Sequence, residues 1–376
     1  DAMKARGTDV RVVKDTKVND TITTKDARGV SVTHDLATPE GAMSFALTLG
    51  LPSEQTQKIA NVLTNLAGTD IRDEVAQMAQ MWAVAERGGQ APSRLVLSGH
   101  HVGSAVYGEE NGRLEWPLLA GLAEAMPRGA RSVEDLLIAA CYSGGESSME
   151  KYQAMFPNLK TAVAYAGSSP GAASGATVHQ QRWEKATRGA RDDIQRTIFD
   201  NSRKGENVTV WTKAHGYQSN QAPRSIEDLR TDQQRGQSTF NDAFNGAPIA
   251  SSQSGPVRDF YNATQRLIQN PTTPAEERVS LEAVRDQTIR LLYYAPVSKR
   301  FGEVYGAKAT QAFTALGLPA PDFKTLSRAD ALTAIKSFQD ALAAAPPPPP
   351  AAASSFAGTL EQFKALDPKL IPDTWV

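Results

Sequence analysis

Short apolar runs punctuate the middle of the chain. Leu95-Val96-Leu97 stops at Ser98-Gly99-His100, and Leu136-Leu137-Ile138-Ala139-Ala140-Cys141 stops before Tyr142-Ser143-Gly144. Thr161-Ala162-Val163-Ala164-Tyr165-Ala166 runs into Gly167-Ser168-Ser169-Pro170-Gly171. Apolar runs of this length, bounded by glycine, predict strands buried on both faces. Val208-Thr209-Val210-Trp211 predicts a fourth strand. Helical spacing fills the gaps. Val75, Met78, Trp82 and Ala85 form one stripe that ends at Gly88-Gly89, and helices are predicted over 116–126, 147–156 and 178–201. Upstream, Val30-Ser31-Val32-Thr33-His34 alternates like a half-buried strand. Thr38-Pro39-Glu40 has the form of a helix start, and Gly50-Leu51-Pro52-Ser53 breaks that helix. Strands alternating with helices predict an α/β fold, a mostly parallel sheet sandwiched by helices. Such sheets bind ligands beyond the carboxyl ends of their strands.

The pattern changes outside this region. Residues 1–27 are polar and read as an arm or an edge hairpin. Residues 28–221 read as the α/β domain and 222–342 as a helical accessory region, with helices over 256–268 and 275–294. Tyr293, Tyr294 and Phe301 are its expected core anchors. Pro346 to Pro350 predict an extended polyproline spacer within a linker at 343–355, with a tail at 356–376 beyond it. No internal repeat is visible.

Composition narrows the chemistry. The 376 residues carry 40 basic and 41 acidic side chains, a net charge of −1, so no basic field collects nucleic acid or an anionic membrane. No apolar run is long enough to span a bilayer. The start, Asp1-Ala2-Met3, reads as a processed form and points to a secreted or periplasmic protein. The chain has one cysteine, which excludes an internal disulfide and any metal site with several sulfur ligands.

That cysteine belongs to the most informative pair of motifs, Ser98-Gly99-His100-His101 and Ala139-Ala140-Cys141-Tyr142-Ser143-Gly144. Each ends an apolar strand, with one helix between, and a right-handed crossover makes the two ends neighbours. A cysteine nucleophile needs a base and donors for the oxyanion of a tetrahedral intermediate. The backbone N–H groups of His101 and Cys141 are the candidate donors. Gly99 and Gly144 would let the chain turn and a substrate approach. The other histidines read differently. His34 is a surface or capping residue or lies at the rim of the crevice, His179 is exposed on a polar helix, and His215 in Ala214-His215-Gly216 is an alternative base. Adjacent strand residues face opposite ways, so His100 and His101 do not share a metal ion. Glu109-Glu110 and Asp192-Asp193 read as solvated surface, and Gly167 to Gly175 lacks the lysine and spacing of a phosphate loop.

The pair of motifs resembles the caspase–hemoglobinase superfamily of cysteine proteases, which includes caspases, metacaspases and legumains. In that superfamily one strand ends in His-Gly and the next parallel strand in a Cys, often as Ala-Cys-x-Ser-Gly; Ser98-Gly99-His100 and Ala140-Cys141-Tyr142-Ser143-Gly144 stand at those places. The likeness covers about residues 28–215 and is specific at two short motifs. It implies a cysteine peptidase acting on a peptide or protein without a cofactor. His100 would be the general acid/base and Cys141 the nucleophile. Ala139, Tyr165, Ser168 and Ser169 would line the substrate groove. Self-cleavage within 184–206 or 216–255 would fit such a family. Three departures stand out. His101 replaces the usual glycine, Ala139 supplies no charge for a substrate side chain, and no family-like strand is found between residues 36 and 72. The first two favour an alternative, a caspase-like scaffold that binds protein partners. A third reading keeps the Cys–His pair and transfers the acyl group to an amine.

Overall fold

A computed structural model describes residues 11, 13, 21–26, 28–65, 71–101, 105–107, 113–167, 169–171, 175–189, 193–202, 207–222, 224–244, 254–289, 301–326 and 328–364. An antiparallel hairpin, β1 (Thr21–Lys25) and β2 (Ser31–Asp35), opens the fold. Three helices follow: α1 (Pro39–Thr48), α2 (Ser53–Thr64) and α3 (Arg72–Glu86). Thr38 caps α1, its Oγ1 accepting the Gly41 N–H at 3.0 Å, with Pro39 in the first turn. The α/β unit then runs β3 (Arg94–Ser98), a meander of β4 (His100–His101), β5 (Ala105–Tyr107) and β6 (Arg113–Glu115), α4 (Trp116–Ala125), α5 (Pro127–Ser132) and β7 (Asp135–Ala139). It continues through α6 (Glu146–Met155), β8 (Thr161–Tyr165), α7 (Thr177–Arg188), α8 (Ile194–Phe199), β9 (Val208–Thr212) and β10 (Gly216–Ser219).

The main sheet has the order β10-β9-β8-β7-β3. Its inner strands β7 and β8 are apolar at successive positions because both faces are covered. Leu136, Ile138, Ala162 and Ala164 point to a core shared with α1, α2, α3, α4 and α6. Leu137, Val163 and Tyr165, one position along, point to a second core with Trp183 of α7 and Ile194 and Ile198 of α8. Val75, Met78 and Trp82 are buried in the first core, as their spacing predicts.

Several expectations need correction. The sheet is mixed. β3–β7 and β7–β8 are parallel, whereas β8–β9 and β9–β10 are antiparallel. Between β9 and β10 the short turn at 213–215 leaves no room for the crossover that parallel strands require. The strand expected at 30–34 is present as β2, and it pairs with β1 from the polar N-terminal segment in a hairpin apart from this sheet, which is the hairpin reading of that segment. The helix expected at 178–201 is two helices, α7 and α8.

The region beyond 222 forms two further packed groups. The first is α9 (Ile226–Phe244), α10 (Ser254–Gln269) and α11 (Ala275–Ile289). Leu229, Leu267, Ile268 and Leu281 form one of its clusters, and Phe240 stacks on Phe260 at 4.7 Å. The second is α12 (Phe301–Ala315), α13 (Arg328–Ala344) and α14 (Ala351–Lys364), around Phe313, Phe323, Phe338 and Phe356. Here the linker at 343–355 and the start of the tail read differently from the sequence expectation, while residues 365–376 lie outside the described residues. Residues 351–364 are a helix that buries Ala353, Phe356 and Leu360 back against α12 and α13. Alanine's helix propensity and these apolar positions outweigh the preceding prolines, which are confined to the connection between two helices. Tyr293 and Tyr294 lie outside the described residues, as does the side chain of Phe301. Tyr305 is the buried aromatic near the start of α12.

Candidate active site

Register brings the two motifs together. β3 and β7 pair in parallel, with Leu97 opposite Ile138 and Ser98 opposite Ala139, and the Gly99 N–H donates to the Ala139 carbonyl at 3.3 Å. Immediately beyond these aligned ends stand His100-His101 on one chain segment and Cys141 on the other. The His-containing segment then enters the meander, with His101 opposite Val106 on β5.

Cys141 is half-buried, and its Sγ accepts the backbone N–H of Ser169 at 3.2 Å. An N–H aimed at sulfur favours negative charge there, which is the nucleophilic form. The next residue, Tyr142, is the only non-glycine residue with positive φ among those described, at 55°. An aromatic side chain in this left-handed region costs about 1–2 kcal/mol, so the surroundings must hold it. They do so at several points. The Tyr142 N–H donates to the Gly167 carbonyl at 2.9 Å, its carbonyl accepts Nε2 of Gln269 at 3.0 Å, and its ring meets Tyr261 edge-on at 5.0 Å. The turn is further fixed by Ser143 Oγ donating to the Ala140 carbonyl at 2.8 Å and Tyr152 Oη donating to the Ser143 carbonyl at 2.9 Å.

Gly144 has a packing reason rather than a ligand-approach reason. A Cβ there would lie 2.1 Å from Thr209 Oγ1 and 2.7 Å from the Tyr165 nitrogen. Its N–H donates to the Tyr165 carbonyl at 2.8 Å, so this glycine lets the turn after Cys141 lie against β8 and β9.

His101 is buried, with its ring 5.9 Å from Trp116 and against the backbone of Cys141. Burial, reinforced by the positive charges of Arg285 on α11 and Lys151 on α6, pushes its pKa down to about 3. A hydrogen bond to the Cys141 backbone opposes that shift without cancelling it. His101 is therefore a neutral imidazole at neutral pH and a poor proton donor. For His100 the backbone is described and the side chain is not.

Of the other predicted groove residues, Ala139 is half-buried at the end of β7, and Ser169 reaches the sulfur through its N–H. Ser168 lies outside the described residues. Tyr165 does not face the crevice. It is buried in the second core, its Oη is 2.7 Å from Nδ1 of His179, and β8 is paired on both sides. That contact also corrects His179, which is 1% exposed because the nominally polar α7 turns this side chain inward. His34 is buried too, with Nε2 2.8 Å from Thr24 Oγ1 and Nδ1 3.0 Å from Ser44 Oγ, which makes it a structural histidine of the hairpin. His215 sits in the turn after β9, whose Thr212 is opposite Thr161 at the start of β8. It therefore occupies the end of the sheet away from Cys141. Asp193 is exposed and pairs with Arg196, whereas Asp192, Glu109 and Glu110 lie outside the described residues.

No family model, no curated protein and no solved structure matches this chain. The geometry is what characterises the site. Sequence reasoning missed three of its members, Tyr261, Gln269 and Arg285, because all come from the helical region more than a hundred residues downstream. The available signal was faint: Phe260 and Tyr261 are adjacent, and only the tyrosine carries a polar tip that a buried site can use. Among the described residues, no helix is long and apolar enough to cross a membrane, and no three His, Cys, Asp or Glu side chains are grouped as metal ligands.

Proposed function

We propose that the chain is a cysteine endopeptidase of the caspase–hemoglobinase type. One observation carries the reading: the β3–β7 register sets the Ser-Gly-His end beside the Cys end at the carboxyl edge of the sheet. The N–H on the Cys141 sulfur and the constrained turn behind it add support. In this mechanism the Cys141 thiolate attacks the scissile carbonyl carbon, forming a C–S bond. The backbone N–H groups of His101 and Cys141 receive the oxyanion. His100 donates a proton to the departing amine as the C–N bond breaks, then takes one from the water that cleaves the thioester. The buried neutral state of His101 favours His100 for proton transfer.

Cleavage profiling of a peptide library tests the proposal. The wild type should hydrolyse a subset of peptides, and Cys141→Ala should lose that hydrolysis and any self-cleavage. Persistent cleavage by Cys141→Ala overturns it.

A scaffold function is favoured by one different observation: helix α10 of the 226–289 group packs directly on both loops of the site. Iodoacetamide separates the readings. A live site alkylates at neutral pH far faster than an ordinary thiol, and a scaffold does not.

A further inference from the structure

We infer that Tyr261 is a positioning residue for the Cys–His site, bracing both of its loops with one side chain. The inference rests on the peptidase reading above and goes beyond its residues. Tyr261 lies mid-way along α10, in the helical region, and is buried. Its Oη donates to the carbonyl of His101 at 3.1 Å, which fixes the segment that carries His100. Its ring packs edge-on against Tyr142 at 5.0 Å and 81°, next to the nucleophile. Two helical turns further on, Gln269 of the same helix donates to the Tyr142 carbonyl at 3.0 Å. The closeness is built in, because a Cβ on Gly145 would lie 2.4 Å from the Gln269 side chain.

The chemistry explains why a brace is needed here. The two loops leave the main sheet at the ends of β3 and β7. Among the described residues no backbone–backbone hydrogen bond links them to each other beyond the one from Gly99 to Ala139, because the His segment turns away to pair with β5. A Cys–His pair works only when the sulfur and the imidazole keep hydrogen-bond distance, and small displacements are costly in rate. Tyr142 is also held in a left-handed conformation that its neighbours must enforce. A tyrosine suits both tasks, since its ring fills space beside Tyr142 while its hydroxyl reaches a backbone carbonyl.

The test compares the full-length wild type with Tyr261→Phe, which keeps the ring and removes the hydroxyl, and with Gln269→Leu. Two quantities are read for each: peptide hydrolysis resolved into kcat and KM, and the rate of iodoacetamide alkylation of Cys141 from pH 6 to 10. For Tyr261→Phe the inference expects roughly a tenfold lower kcat at an unchanged KM. It also expects neutral-pH alkylation to slow by a similar factor while alkylation near pH 10 stays at the wild-type rate, because the thiolate then forms without help from histidine. Gln269→Leu should show the same pattern to a smaller degree. A merely structural tyrosine would lower the unfolding temperature and leave kcat and the alkylation profile of the folded enzyme unchanged. That outcome overturns the inference and spares the peptidase reading. A wild type with no hydrolysis and the alkylation profile of an unactivated thiol overturns both.

Discussion

At the scale of single residues, the site is defined by side chains and backbone groups held against their usual preferences. Tyr142 keeps a left-handed backbone, and His101 keeps a neutral imidazole inside the protein. The second has a measurable consequence for stability. The imidazole of an unfolded chain takes up a proton near pH 6.5, whereas the folded one resists until about pH 3. The unfolded state therefore binds more protons between these values. The contribution of His101 is complete above about pH 6.5 and is lost as the pH falls toward 3. We expect the stability of the wild type to decline on acidification with a limiting slope of about 1.4 kcal/mol per pH unit from this residue. His101→Gln should flatten that part of the curve, as seen in urea midpoints measured from pH 7 to 4. Burial shifts His34 in the same direction, so the difference between the two proteins, rather than the raw slope, reports on His101.

At the scale of elements, glycine and strand register decide where the chemistry sits. Gly144 lets the turn after Cys141 press against β8 and β9. The Cβ of Gly144→Ala would meet backbone there as well as the Thr209 hydroxyl, and backbone cannot swing aside. We expect this variant to lose about 3 kcal/mol or more of stability, read from chemical denaturation, along with hydrolysis. The apolar runs that form β7 and β8 were legible in the sequence because both faces of these inner strands are covered, and the shorter apolar run of β3 was legible from the glycine that ends it. That the segments carrying His100 and Cys141 leave the sheet side by side was legible for the same reason, as each follows such a run. Strand direction was not. Nothing in Val208-Thr209-Val210-Trp211 distinguishes a parallel from an antiparallel partner; the short turn after it fixes only its pairing with β10. His179 belongs to a buried stripe of α7 with Trp183, Ala186 and Thr187, and the many polar residues between them hide that spacing in the sequence. Its buried partner, the Tyr165 hydroxyl, comes from a strand. Tyr261 and Gln269 escaped because contacts across more than a hundred residues have no local pattern.

At the scale of the whole molecule, the polypeptide divides its apolar side chains among distinct cores. Two flank the sheet, and another binds α12, α13 and α14 through a cluster of phenylalanines. Phe338 touches Phe313 at 5.2 Å and Phe356 at 5.1 Å, and is fully buried. Phe338→Ala should destabilise this last group by about 3–5 kcal/mol. Calorimetry should show an early transition, and the alkylation rate of Cys141 should be unchanged, because these phenylalanines belong to a core separate from the sheet. The sole sulfhydryl carries a further consequence. Cys141 has no second cysteine in its own chain, so a sulfenic acid formed there by peroxide has no resolving thiol in that chain. Recovery must come from an outside thiol such as glutathione. Without one, a further equivalent of oxidant carries the sulfur irreversibly to sulfinic acid.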